Sequence, residues 1–239
     1  MNIFWQRVLG RMGIPRRNFD GTYEMNQLQA FEAALRRAGR SLFNARDVFE
    51  FGCGEGRLIG AMMRVNPAAS YTGAEVQPEV IAVAKRRMPN VRFIANGTRP
   101  PLELPDQSFD LIYTYSVFTH LTEENHRNWL KELARLLKPG GAMLHTVHSP
   151  TALESISRFS PDALPKFGLP ASLESFIAAG PDYHYNVDIP QRPDYGEAII
   201  RRRYIEARWP GYTGLKIVTY AEGAIESYPN GCHDLIVLG

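Results

Sequence analysis

The stretch DVFEFGCGEGRLIGAMM, residues 47–63, decides how the rest of the chain is read. Val48, Phe49 and Phe51 make a short apolar run, and Gly52, Gly54 and Gly56 follow at alternate positions. Leu58, Ile59, Met62 and Met63 then recur at helical spacing. Strand, glycine turn and helix in that order build a cofactor-binding corner of an α/β sheet. The glycines run G-x-G-x-G, not the G-x-G-x-x-G that offers helix amides to a pyrophosphate. An acid, Glu50, stands just ahead of them. A carboxylate there repels a pyrophosphate and suits a ligand carrying ammonium or sulfonium charge, which disfavours a dehydrogenase. Taken alone, the motif is also compatible with a plain tight turn.

Working outward, the spacing predicts a helix over 24–38 ending at Gly39, a strand over 71–76 and a helix over 77–88 with Pro78 in its first turn. Strands follow at 91–96 and 109–118, then a helix over 123–138 with Thr122 as its N-cap, stopped by Pro139-Gly140-Gly141. A fifth strand spans 142–148. This alternation predicts a three-layer, doubly wound α/β fold with a mostly parallel seven-stranded sheet. From 149 to about 196 the rhythm breaks into a segment rich in Pro, Ser, Asp and aromatics, long enough to serve as a lid or binding element. A helix over 197–209 and strands over 215–222 and 232–239 follow, with a turn at 228–231. Strands so closely joined pair antiparallel or flank another strand, so the last strand is expected to run reversed. The chain thus divides into a 1–44 helical cap, a 45–148 core, a 149–196 acceptor-side insertion and a 197–239 C-terminal part, all within one domain.

The net charge of +2 over 239 residues gives no electrostatic case for nucleic acid. Two cysteines, Cys53 and Cys232, are too few for a disulfide framework and fit free thiols in a reducing cytoplasm. No apolar run approaches the ~20 residues of a membrane span. The N-terminal MNIFWQRVLGRMG lacks the long apolar region of a signal peptide. Its apolar residues at helical spacing suit packing over the domain better than lying on a membrane surface.

Glu75 closes the second strand about twenty residues beyond the last glycine, where a carboxylate meets the two ribose hydroxyls of an adenosine cofactor. With VFEFGCGEGR, GAEVQPEVIAVAKRR, IANGTRPPLELPDQSFDLIYTYSVFTHL and LARLLKPGGAMLHTV in order, the chain resembles the class I S-adenosylmethionine-dependent methyltransferases, strongly over 45–148 and more weakly beyond. The resemblance implies S-adenosyl-L-methionine as cofactor. It places the methionine moiety on Glu50 and on the backbone of Gly52, Gly54 and Gly56, with Cys53 and Arg57 in the same turn. It places the ribose on Glu75 and the adenine against Val76. The family usually carries Asp after the third strand; here Asn96 stands there, followed by Gly97 and Thr98, and its amide oxygen can still accept from the adenine amino group. Ser116 would line the sulfonium region.

Methyl transfer needs alignment, and a hydroxyl acceptor also needs a base, for which histidine is suited near neutral pH. His148, at the carboxyl end of the fifth strand where open sheets place ligands, is the first candidate, followed by His184 of the insertion and His120 after the fourth strand. His145 reads as packed in the core. No metal site is expected: His145 and His148 face opposite sides of a strand, and Asp182, His184 and Asp188 form no tight motif. Tyr183, Tyr185, Tyr195, Phe159, Phe167 and Phe176 suit either an apolar or sugar-like acceptor or the insertion's own core. The expected function is methylation of a small-molecule or glycan hydroxyl. The alternatives are a protein or RNA methyltransferase and a non-catalytic cofactor-binding module.

Overall fold

The structure, a computed structural model, describes residues 22–159, 161–170, 172–187, 190–223 and 232–239. The expected N-terminal helix, Asp188, the turn at 228–231 and the Phe159 side chain lie outside the described residues. The chain forms α1 (Thr22–Arg37), β1 (Asp47–Phe51), α2 (Arg57–Val65), β2 (Ser70–Glu75), α3 (Pro78–Arg87), β3 (Arg92–Ala95), β4 (Phe109–Thr114), α4 (Glu123–Leu136) and β5 (Leu137–Val147). After them come α5 (Pro150–Phe159), α6 (Leu173–Ala179), β6 (Tyr183–Val187), β7 (Gly196–Ile200), α7 (Arg202–Thr213), β8 (Ile217–Ala221) and β9 (Asp234–Leu238).

Seven strands form one sheet in the order β3-β2-β1-β4-β5-β9-β8. The pairs from β3 to β5 are parallel, and β9 is antiparallel to both neighbours. The last strand of the chain is therefore the reversed one, threaded between β5 and β8, as the short connection before it requires. One face buries Leu28, Phe31 and Leu35 of α1 and Ile59 and Met62 of α2 against Val48, Leu111, Tyr113 and Leu144. The other buries Trp129 and Leu133 of α4 and Ile205 and Trp209 of α7 against Phe49, Ile112, Met143 and Ile236. Helices on both faces explain why β1 and β4 read as continuous apolar runs rather than alternating ones. Thr122 caps α4 by accepting from Asn125 N–H at 3.2 Å, as its sequence position predicts.

Three local expectations are corrected. Residues 196–200, expected as the start of a helix over 197–209, form strand β7, and α7 begins at Arg202. All five β7 residues are buried, so GEAII shows no alternation, and its Glu, Ala and Ile fit a helix equally well. Pairing with β6 in a separate antiparallel hairpin decides the matter. Residues 183–187, within the segment where no strand is expected, are that partner. Pro139-Gly140-Gly141 lies inside β5, at the register shift between Phe109 and Leu111 of β4, and α4 ends before it at Leu136. Among the described residues no helix is long and apolar enough to cross a membrane.

Candidate active site

The donor side is built at the carboxyl ends of β1, β2 and β3. Gly52, Gly54 and Gly56 have φ of 77°, 53° and 76°, left-handed values that favour glycine. A Cβ on Gly52 would collide with Val117 of the loop after β4, and one on Gly56 with Met88 and Phe93. At Gly54 a Cβ would meet nothing within 4 Å, so of the three only this one faces open space. Gly52 and Cys53 N–H both donate to Ala74 O, at 2.8 and 2.9 Å, which ties the turn to β2. The Cys53 thiol points into the core against Gly73, and burial pushes its pKa far up, so this residue offers backbone only. Arg57 turns the other way and donates to Glu24 of α1 at 2.9 Å.

Glu75 is held at the end of β2 by two amides, Gly54 N–H on Oε2 and Gln77 N–H on Oε1, both at 3.1 Å. A carboxylate has about four lone-pair sites, so two remain for the hydroxyl pair of a ribose. The parallel register Glu75↔Ala95 sets Asn96 beside it, and Asn96 N–H donates to Glu75 O at 3.1 Å. The Asn96 amide nitrogen donates to Gly97 O at 2.8 Å, so the other amide atom must be Oδ1, and that oxygen is buried with no hydrogen-bond partner. An orphaned buried acceptor calls for a donor. An adenine amino group beside a ribose on Glu75 is such a donor, and Val76, 42% exposed, stands ready to cover the ring. Trp129 Nε1–H donates to Thr98 O at 3.2 Å and pins this loop to α4. These residues fit S-adenosylmethionine.

Glu50 lies under the glycine turn, 3% exposed, and accepts from Tyr113 Oη at 3.0 Å. Burial raises its pKa to about 8 against the opposing hydrogen bond from Tyr113 and the charge of Arg57. In the free protein at pH 7 it therefore holds a proton. A cationic ammonium nearby favours the carboxylate, so cofactor binding near pH 7 should release up to one proton. Calorimetry in two buffers of different ionisation enthalpy measures this, and the release should vanish in Glu50→Gln. The same raised value makes the free protein less stable as pH climbs from 4.5 towards 8, because the folded state keeps a proton that the unfolded chain has lost.

A candidate acceptor side lies where β4 and β5 end. Ser116 has φ of 55°, a left-handed conformation costly for a non-glycine residue, and its N–H donates to Thr146 Oγ1 at 2.8 Å. Its hydroxyl lies 3.3 Å from Thr119 Oγ1 and 3.4 Å from His233 Nε2. His148 stacks near His233, ring centroids 4.8 Å apart, and burial, with the charges of His233 and His120, holds its pKa well below the usual range. His120 stacks on Tyr195 at 4.8 Å and 15°. Because Val117 also packs on Gly52, one loop joins the donor and acceptor sides.

The structure separates the other candidates. His184 engages Phe167 O at 2.6 Å and packs on Phe176, inside the insertion's own core. His145 lies between Phe118 and Trp209 with Nδ1 3.0 Å from Thr114 Oγ1. Most insertion aromatics turn out to hold the fold: Phe167 and Phe176 pack with Leu153 and Ile199, Tyr183 donates to Leu121 O, and Tyr185 donates to Pro193 O. Two of them also reach the candidate site: Tyr195 stacks on His120, and the ring of Phe167 lies 5.8 Å from that of His148. His233 escaped the sequence reading. Its signal was present, because the antiparallel pairing Val147↔Asp234 sets the residue before Asp234 opposite the residue after Val147. Among the described residues no group of three His, Cys, Asp or Glu could hold a metal ion.

A mostly parallel sheet in this order, with one reversed strand and a glycine turn facing an acid on the next strand, defines the class I methyltransferase fold. The sequence profile of the methyltransferase domain matches residues 48–141. A probable S-adenosylmethionine-dependent methyltransferase of Mycolicibacterium smegmatis is 35% identical over 99 residues, 41% of this chain and 37% of that protein. A demethylmenaquinone methyltransferase of Chlorobaculum tepidum is 30% identical over 110 residues, 45% of this chain and 44% of that one. A crystal structure from Pyrococcus horikoshii shares the fold over 100% of this chain and 99% of its own, with a TM-score of 0.62 at 15% identity. The chain spans less than half the length of these two curated relatives. It carries a class I S-adenosylmethionine-dependent methyltransferase domain, and S-adenosylmethionine is that domain's cofactor.

Proposed function

We propose that this chain methylates a small molecule, at a hydroxyl of a sugar, a glycan or a secondary metabolite. The observation that carries the reading is the set of three imidazoles, His120, His148 and His233, at the acceptor side of a pocket that fits the cofactor. A hydroxyl is a poor nucleophile until its proton is taken, and an imidazole is suited to take it near neutral pH. The demethylmenaquinone methyltransferase relative, acting by its name on a small molecule, supports the choice of acceptor size. The net charge of +2 gives no support for an RNA groove.

S-adenosylmethionine supplies a methyl group on a sulfonium when bound. Glu75 would hold its ribose, Asn96 Oδ1 and Val76 its adenine, and Glu50 with the amides of the glycine turn its methionine part. Strand β7 would exclude water by closing over the ends of β4 and β5, since Ala198 N–H donates to Thr119 O and Ile200 N–H to His148 O, both at 2.8 Å. An acceptor hydroxyl would give its proton to an imidazole; its oxygen would take the methyl group as the carbon–sulfur bond breaks and the sulfonium leaves as a neutral thioether. His148 is so strongly held neutral that it makes a weak proton acceptor. His120 takes that role: its Nδ1 lies 2.9 Å from Gly196 O, and a carbonyl only accepts, so Nδ1 carries the hydrogen and Nε2 the lone pair.

A labelled-methyl transfer screen against sugars, glycans, phenols, amines, protein and RNA tests the reading. Label is expected on a hydroxyl compound, with kcat down ~10²–10⁴-fold in His120→Ala. Label confined to RNA or protein would refute the small-molecule acceptor.

A further inference from the structure

We infer that Glu197 is a positioning residue that acts through His120, orienting its ring and stabilising the proton it takes up; this rests on the hydroxyl-acceptor reading above. Glu197 sits on β7, just after the insertion and far from His120 in the chain. Two backbone bonds bring them together: Gly196 N–H donates to His120 O at 3.2 Å, and Ala198 N–H to Thr119 O at 2.8 Å. The register between those bonds leaves Glu197 Oε2 3.7 Å from His120 Nδ1. Its side chain is only 8% exposed, unusual for a carboxylate carried on a two-stranded hairpin.

The ring of His120 is fixed from three directions. Gly196 O accepts from Nδ1 at 2.9 Å, Tyr195 stacks on the ring plane at 4.8 Å, and the Glu197 carboxylate lies against the Nδ1 edge. The first contact sets the tautomer and the second the plane. Neither carries formal charge, so neither fully answers the charge that appears when Nε2 takes the acceptor's proton. Glu197 does. The imidazolium so formed faces a carboxylate in a water-poor setting, where a charge pair interacts more strongly than at the surface. Before proton transfer the imidazole is neutral and the interaction weaker, so Glu197 favours the transition state over the ground state. This predicts an effect on kcat more than on KM.

Glu197→Gln keeps the shape and removes the charge. Its kcat should fall about 10–100-fold, with acceptor KM and S-adenosylmethionine affinity within about twofold of wild type. In Glu197→Ala, added formate, a small carboxylate, should restore kcat several-fold, which a merely structural role would not allow. Melting curves confirm that each variant folds, and if Glu197→Ala does not, Glu197→Gln carries the test alone. An unchanged kcat in Glu197→Gln, with His120→Ala still impaired, overturns the positioning role and leaves the hydroxyl reading standing. A lowered kcat in both Glu197 variants without formate rescue assigns Glu197 to structure and overturns it too. A wild-type chain that labels no hydroxyl compound overturns the hydroxyl reading and this inference with it.

Discussion

Glu75→Ala should weaken S-adenosylmethionine binding by ~10²–10⁴-fold, because it removes two charge-assisted hydrogen bonds of ~1.5–3 kcal/mol each. The variant also strips the Gly54 and Gln77 amides of their acceptor, so the turn itself loosens. Glu75→Gln should fall between, since an amide offers only one oxygen and would set an NH₂ against one of those N–H groups. Titration calorimetry measures both. Unaltered affinity in Glu75→Ala would mean that the adenosine lies elsewhere, and the assignment of the donor pocket would fail with it.

His145→Leu should change how stability depends on pH. Burial lowers the pKa of His145 to about 3, against an ordinary value of 6.5. The unfolded chain then binds a proton that the folded chain refuses, so stability present above pH 6.5 is lost as pH falls towards 3. At pH 5 this one residue costs ~2 kcal/mol relative to pH 7. His126 and His148, also lowered by burial, push the same way. Glu50, Glu75 and Asp234, whose carboxyls burial raises, push the opposite way. The informative quantity is therefore the difference between chains: between pH 7 and pH 5 the leucine variant should gain ~2 kcal/mol on wild type in urea unfolding. Parallel pH dependence in the two chains would show that His145 takes up a proton without unfolding. The buried setting of this residue is also incomplete, since His145 Nε2, His126 Nε2 and Trp209 Nε1 are buried without partners in one cluster of rings.

The donor pocket was legible because its parts are contiguous or regularly spaced in the chain. Glu50, the three glycines and Glu75 lie on one strand–turn–helix–strand unit, and right-handed parallel winding leaves such a unit one way to fold. Asn96 was placed for the same reason, one strand further on. What the sequence could not show is that its oxygen is left unpaired, which depends on the side chain's choice of Gly97 O as partner. Cys53 illustrates the limit from the other side: it stands between two of the glycines, yet its thiol faces the core.

Local periodicity by itself determined the strands and helices of the core and the single reversed strand, because hydrophobic spacing and glycine placement act over a few residues. The kind of cofactor followed from the resemblance of four motifs in order to those of the methyltransferases. The acceptor side was decided only by the tertiary structure. Ser116, His120, His148, Glu197 and His233 come from four separate segments and meet through backbone pairing of β7 with the loop after β4 and of β9 with β5. Nothing in the local pattern of GEAII distinguishes strand from helix. Its partners, β6 shortly before it and Thr119, His120 and His148 far away in the chain, satisfy its amides and carbonyls only in the extended form, and that pairing selects the strand and brings the carboxylate of Glu197 to His120.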